Sequence, residues 1–148
     1  DIDPVPTVNL ELTGSPFAEN GGTATFTARL SIPTESPVTV NLGYGGTAIL
    51  ERDTQLGVVV LGYSDGIPRN ASAEAGVFVA GRRAPIIGRV SMDQFVVDLG
   101  INSIAKSGDI AEVFGPNGYS VDEWASAAGT INYEIVTRIS PRVPRIYM

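Results

Sequence analysis

Thr23-Ala24-Thr25-Phe26-Thr27-Ala28-Arg29-Leu30-Ser31-Ile32 alternates strictly between polar and apolar residues. In extended backbone, successive side chains point to opposite faces, so Ala24, Phe26, Ala28, Leu30 and Ile32 fall on one face and Thr23, Thr25, Thr27, Arg29 and Ser31 on the other. A slip of one residue would turn the whole apolar set to water, so the register of this strand is firm. The pattern recurs on both sides. Upstream, Thr7 to Leu12 places Val8, Leu10 and Leu12 at alternate positions, and Ala18-Glu19-Asn20-Gly21-Gly22 is a turn cluster. Downstream, Pro33 to Pro37 breaks the run before Val38, Val40 and Leu42 begin another strand.

Further along, Gln55 to Tyr63 is an apolar run that predicts a buried strand. Gly76 to Gly88 predicts a hairpin, with Val77, Phe78 and Val79 facing Pro85, Ile86 and Ile87 across a turn at Ala80-Gly81. Arg89 to Leu99 and Asp109 to Phe114 supply two more predicted strands. Ser120-Val121-Asp122-Glu123 is a capping box that opens a helix, with Val121, Trp124, Ala125 and Ala128 on one face and Gly129 ending it. Thr130 is read as the cap of a second helix carrying Ile131, Ile135 and Ile139, although its β-branched content also allows a strand. Pro141 and Pro144 forbid continuation, and the chain closes as a short edge strand. The expected fold is mainly β: a Greek-key barrel or barrel-like sandwich with one or two short C-terminal helices.

A chain of 148 residues with 43% apolar content buries a core in a single domain. The net charge of −6 argues against nucleic acid as a partner, since binding that polymer relies on neutralising phosphates. Most of the excess lies near the start, where Asp1, Asp3, Glu11, Glu19 and Glu35 face one base, Arg29. Arg82, Arg83 and Arg89 flank predicted strands and read as a solvated rim. No apolar run is long enough to span a membrane, and Asp1-Ile2-Asp3-Pro4 lacks the pattern of a signal peptide. The chain contains neither cysteine nor histidine, which excludes disulfides, thiol catalysis, histidine bases and the usual zinc sites. Carboxylates, hydroxyls, tyrosine and the single lysine, Lys106, remain for chemistry.

Four runs stand in order: Gly62-Tyr63-Ser64-Asp65-Gly66-Ile67-Pro68-Arg69, Gly88-Arg89-Val90-Ser91-Met92-Asp93-Gln94, Gly129-Thr130-Ile131-Asn132-Tyr133-Glu134, and Ser140-Pro141-Arg142-Val143-Pro144-Arg145-Ile146-Tyr147. Together they resemble the C-terminal domain of alanine racemase, a pyridoxal-phosphate enzyme family, over about residues 42–147. The resemblance implies a cytoplasmic protein. It assigns Tyr63 as one of two bases on opposite faces of the substrate α-carbon, acting in the active site of a neighbouring subunit. A phenol with a pKa of about 10 is a poor base at neutral pH unless positive charge lowers it. The resemblance also gives Met92 a backbone N–H that helps to hold the substrate carboxylate, and Tyr133 a contact to the cofactor phosphate. As ordinary residues, Tyr63 ends a strand, Met92 fills core and Tyr133 lies on an amphipathic helix. Asp65 and Arg69 are read as turn and interface contacts.

The family's Schiff-base lysine lies in an N-terminal barrel with no counterpart in these residues. Lys106 sits in Ala105-Lys106-Ser107-Gly108-Asp109, a polar loop unsuited to that role. No bound cofactor is therefore expected. Pro6-Thr7-Val8-Asn9-Leu10, Ala18 to Thr25 and Pro37 to Leu42 resemble the first strands of a Calx-beta domain, over about residues 5–48. That family binds calcium, which makes Glu19 and Asp53 weak calcium candidates within an incomplete ligand set. Asn70-Ala71-Ser72 fits a glycosylation acceptor.

The two resemblances overlap at about Val38 to Ala48. Together they predict a chimeric, engineered scaffold without catalysis of its own, the alternatives being a racemase fragment that contributes Tyr63 and a weak calcium-binding module. Interface surfaces left exposed in such a scaffold favour self-association.

Overall fold

A computed structural model describes residues 8–13, 24–30, 46, 48, 50 and 52–147. The predicted turn at 18–22, the strand at Val38 to Leu42 and the calcium candidate Glu19 lie outside the described residues. Among the described residues six strands form one antiparallel sheet: β1 (Val8–Thr13), β2 (Ala24–Leu30), β3 (Leu56–Val59), β4 (Gly76–Val79), β5 (Arg82–Ile87) and β6 (Phe95–Asp98). Their order is β1-β2-β3-β6-β5-β4. The connection from β3 to β4 thus passes from the middle of the sheet to its far edge, and it carries a single 3-10 turn, Tyr63–Asp65. Two helices follow, α1 (Val121–Ala128) and α2 (Asn132–Thr137). The result is the mainly β fold that the patterning predicts: a curled antiparallel sheet with two short late helices.

The alternating strand behaves as its pattern dictates. Leu10 stands opposite Ala28 and Leu12 opposite Phe26, so apolar positions of β1 and β2 pair with one another. Ala24 and Phe26 then pair with Val58 and Leu56 of β3. β5 is the corner strand. Gly76 to Val79 of β4 pair with Arg82 to Pro85, whereas Ile86 and Ile87 pair with Val97 and Val96 of β6.

Several sequence expectations need correction. The hairpin turns at Ala80-Gly81, both with positive φ (49° and 81°) as a tight two-residue turn requires. A turn of that length forces Val79 opposite Arg82 and Val77 opposite Ala84, not the predicted facing of Val77–Val79 with Pro85–Ile87. β3 stops at Val59 because the chain bends at Val60, with the Leu61 N–H donating to the Val59 carbonyl. β6 is only Phe95–Asp98, since Ser91 N–H donates to the Gln94 carbonyl and closes a turn ahead of it. The predicted strand at Asp109–Phe114 reduces to one bridge, Phe78 to Glu112. The C-terminal segment forms a turn at Pro141-Arg142 and no strand.

The core lies between the sheet and α1. Val77, Val79, Ala84, Ile86, Val90, Phe95, Val97 and Leu99 surround Trp124, whose side chain is fully buried. Ser120 caps α1 as predicted: its Oγ accepts from the Glu123 N–H, and the Glu123 carboxylate accepts from the Ser120 N–H. Gly129 ends the helix at φ 69°. Ala127 joins the buried set that the helical face predicts. The second helix differs from expectation. Ile131, not Thr130, is its cap residue, and the Thr130 hydroxyl bonds the Glu134 carboxylate instead. Of its three isoleucines only Ile135 is buried deeply, while Ile131 faces solvent.

The predicted rim arginines are exposed, but Arg83 is engaged. It pairs with Glu123 at 2.8 Å, donates to the Gly118 carbonyl and stacks 4.6 Å over the Tyr119 ring. Burial pushes the Tyr119 phenol up, with Arg83 opposing. The Glu112 carboxylate organises the loop after it, accepting from Asn117 Nδ2, Asn117 N–H and Gly118 N–H. Those bonds, that of the Asn117 side chain foremost, hold Glu112 below its ordinary value; the Ser120 N–H and then Arg83 do the same for Glu123.

A carboxylate whose folded pKa is depressed contributes stability above its unfolded value, near 4.5, and loses it as pH falls through the folded value. Urea midpoints are therefore expected to fall between pH 6 and pH 3, and to fall less in the double variant Glu112→Gln, Glu123→Gln. Equal pH dependence in the two proteins would show that neither carboxylate matters.

Candidate active site

The Gly62 and Met92 runs meet side by side. Tyr63 N–H donates to the Ser91 carbonyl at 3.1 Å, and Ser64 N–H to the Met92 carbonyl at 3.0 Å. The approach is close because position 62 is glycine: a Cβ there would lie 2.2 Å from the Met92 carbonyl oxygen. Asp65, only 9% exposed, closes the turn from below, its carboxylate accepting the Gly62 N–H at 2.9 Å. Gly66 follows with φ 108°, and a Cβ on it would meet the Arg138 carbonyl at 2.4 Å. The end of α2 thus packs directly onto this turn, and Ser140 N–H donates to the Asp65 carbonyl.

Tyr63 is 45% exposed on this turn, at the edge of a cleft of about 200 Å³ lined also by Gly66, Ile67, Pro68, Arg69 and Arg138. Two guanidinium groups beside a phenol suit an anionic or polar occupant. Met92 is 53% exposed rather than core filler, with its carbonyl committed to Ser64. Tyr133, 73% exposed, lies on the first turn of α2, at the opposite end from Arg138. The structure therefore brings the Tyr63 and Met92 runs together, while Tyr133 does not line the cleft and sits at the other end of α2 from Arg138, which does.

Asp65 makes the local turn contact that the sequence suggests, and Arg69 lines the cleft. The glycosylation-like Asn70 donates through Nδ2 to the Ala128 carbonyl, tying the turn to α1. Asp53 is exposed, and among the described residues no group of three acidic side chains converges on a cation position. Sequence reasoning missed Ser64, Asp93 and Arg142, which are joined by hydrogen bonds beside Tyr63. The signal available was their place within the same runs, with Arg142 just past a proline.

Residues 23–147 match the family described as alanine racemase, C-terminal domain. The chain belongs to that family. The match begins at residue 23, so β2 lies inside the family domain, which starts well ahead of residue 42, where the four runs alone place it. The chain is 50% identical over 124 residues to an alanine racemase of Salinispora arenicola, covering 81% of this chain and 33% of that protein. It is 51% identical over 109 residues to one from Thermobifida fusca, covering 72% of this chain and 29% of that protein. The biosynthetic alanine racemase of Pseudomonas aeruginosa superposes with a TM-score of 0.71 at 44% identity, covering 86% of this chain and 34% of that one. The chain thus spans about a third of the length of the relatives it matches. A structure from Bartonella henselae, 33% identical with a TM-score of 0.59 and covering 64% of this chain and 28% of that one, carries covalently bound pyridoxal phosphate.

The residues of this domain do not fit covalent attachment of that coenzyme. Lys106 is exposed on a turn, where its N–H donates to Asp109 and its carbonyl accepts from the Asp109 N–H. The cleft beside Tyr63 is lined by two arginines and no lysine. Among the described residues no helix is long and apolar enough to cross a membrane.

Proposed function

We propose that this domain supplies the tyrosine half of an alanine racemase active site and catalyses nothing without a companion half that carries the lysine. The observation that carries the reading is the pairing of the Tyr63 and Met92 runs: a half-exposed phenol beside an exposed backbone turn, with Arg69 and Arg138 lining the same cleft. Tyr63 is the proton-transferring group on one face of the substrate α-carbon, Met92 offers its backbone N–H to the carboxylate, and Tyr133 reaches toward a phosphate. Tyr63 must act on a substrate held by another polypeptide surface. Exposed Ile131, Tyr133 and Val136 on and beside α2 suit a face that an assembly covers.

We also read the chain as chimeric. β1 stands ahead of the matched residues and still pairs with β2 over six positions, as a Calx-beta-like lead fused to a racemase domain would.

The test is complementation. The purified chain with pyridoxal phosphate is expected to show no Schiff-base absorbance and no racemisation. Mixed with the lysine-bearing remainder of a relative, it should restore racemisation, and Tyr63→Phe should lower the restored rate at least about 100-fold. Racemisation by the chain alone, or full activity in Tyr63→Phe, would overturn the reading.

A further inference from the structure

The C-terminal run does more than end the fold. Arg142 is carried on a closed turn, in which Val143 N–H donates to the Ser140 carbonyl and Arg142 N–H to Ser140 Oγ. That turn is itself fixed to the Tyr63 turn through Ser140 N–H and the Asp65 carbonyl, 2.9 Å apart. From it the guanidinium reaches both runs. Nη1 donates to Ser64 Oγ at 2.7 Å and to Asp93 Oδ1 at 3.2 Å, and Nε lies 3.6 Å from Asp65 Oδ1. The Ser64 hydroxyl accepts from Arg142 while its one proton lies between the Met92 carbonyl and Asp93 Oδ1, each 2.8 Å away.

Ser64 and Asp65 follow Tyr63 in sequence, and Asp93 follows Met92. One side chain therefore touches the residues next to both proposed functional positions. The arrangement adds little to overall stability, because Arg142 is 57% exposed and water screens its pairs. Its effect is geometric. A planar fork held at three points fixes direction as well as distance, which a flexible ammonium does not. It also places a positive charge between two carboxylates, on separate runs, whose mutual repulsion would push those runs apart.

We propose that Arg142 is a positioning residue, whose guanidinium sets the spacing between the Tyr63 turn and the Met92 turn. Its bearing on racemisation rests on the function proposed above; the geometry itself does not.

The test is amide hydrogen exchange on the full chain, which needs no activity. In Arg142→Ala, exchange at Tyr63 and Ser64 is expected to quicken about tenfold, the loss of one charge-assisted hydrogen bond. Amides of β3 and β6, such as Val58 and Val97, should hold their wild-type rates. Arg142→Lys keeps a charge between the carboxylates but loses the planar fork, and its exchange rates should fall between those of wild type and the alanine variant.

Unchanged exchange at Tyr63 and Ser64 would overturn the proposal. So would an equal rise at Val58 and Val97, which marks a merely structural role, or a lysine variant that exchanges as slowly as wild type, since charge alone would then suffice. Reconstituted racemisation reads the other question: no activity with the wild-type chain sinks the functional reading and leaves the exchange result standing. With an active pair, Arg142→Ala should lower kcat about tenfold, and an unchanged kcat would remove Arg142 from the reaction.

Discussion

Trp124→Ala is expected to leave the domain largely unfolded at room temperature. The indole is the largest fully buried side chain, and it meets Phe95 edge-on with ring centroids 6.1 Å apart. Truncating a buried tryptophan costs about 3–5 kcal/mol through lost burial and the cavity left behind. A second loss adds to this. Nε1–H donates to the Gly76 carbonyl at 3.1 Å and the Val113 carbonyl at 2.8 Å, joining the first residue of β4 to the loop before α1. Without the indole both acceptors lose their partner inside the protein, at about 1 kcal/mol or more each. Domains of this size are stable by about 5–15 kcal/mol in all, so the sum approaches the whole. Urea unfolding followed by far-UV circular dichroism checks it. Trp124→Phe keeps one aromatic ring but loses the donor and the rest of the indole, so it should cost clearly less than the alanine variant. A Trp124→Ala midpoint within a few tenths molar of wild type would show that the core does not depend on this residue.

The same residue shows what is legible in the sequence. The Ser120–Glu123 capping box, the apolar face of α1 and the stop at Gly129 are all local signals, and the structure reproduces them. The alternation at Thr23 to Ile32 fixes β2 for a similar reason, since one period encodes both the extended backbone and the face that pairs. Expectations failed where backbone geometry is set by distant partners. The run from Gln55 to Tyr63 is apolar enough for one strand, but its end is pulled aside to bond Ser91 and Met92, about thirty residues away in sequence. The segment at Asp109 to Phe114 is apolar enough for a strand, yet only Glu112 finds a bridge partner, and its carboxylate gathers the following loop instead. Hairpin register was recoverable in principle, because a two-residue turn at Ala80-Gly81 leaves one pairing only.

The site follows the same division. Tyr63, Met92 and Tyr133 come from matching runs, and the runs themselves are continuous in sequence. What joins them is not. Ser64 reaches across to Asp93, 29 residues away, and Arg142 crosses from the far end of the chain, 78 residues from Ser64. Nothing in composition or periodicity marks a serine or a proline-flanked arginine as a link of this kind. Asp65 was recoverable as a turn residue, since a carboxylate three positions after an extended glycine is placed to accept its N–H.

Gly62→Ala is expected to damage both the fold and the site, and the reason is space rather than backbone freedom. Gly62 has φ −144° and ψ −165°, an extended conformation open to any residue. A methyl group there would lie 2.2 Å from the Met92 carbonyl oxygen, 2.4 Å from its carbon and 2.5 Å from the Asp93 nitrogen. All three are backbone atoms, so no side-chain rotation relieves the contact. The two runs must separate by about 1 Å, and overpacking of that kind costs about 1–3 kcal/mol, occasionally more.

Separation also breaks what the close approach permits. The bonds from Ser64 N–H and Oγ to the Met92 carbonyl lengthen, and so does that from Tyr63 N–H to Ser91. The melting temperature should therefore fall by about 5–10 °C. Amide shifts at Tyr63, Ser64, Met92 and Asp93 should move far more than those of α1. A companion half that restores racemisation with the wild-type chain should restore little with this variant, because displacement of a reacting group by about 1 Å can cost a hundredfold in rate. Wild-type melting with unmoved Met92 and Asp93 signals would mean that the two runs have room between them, and that Tyr63 is not held by contact with the Met92 backbone.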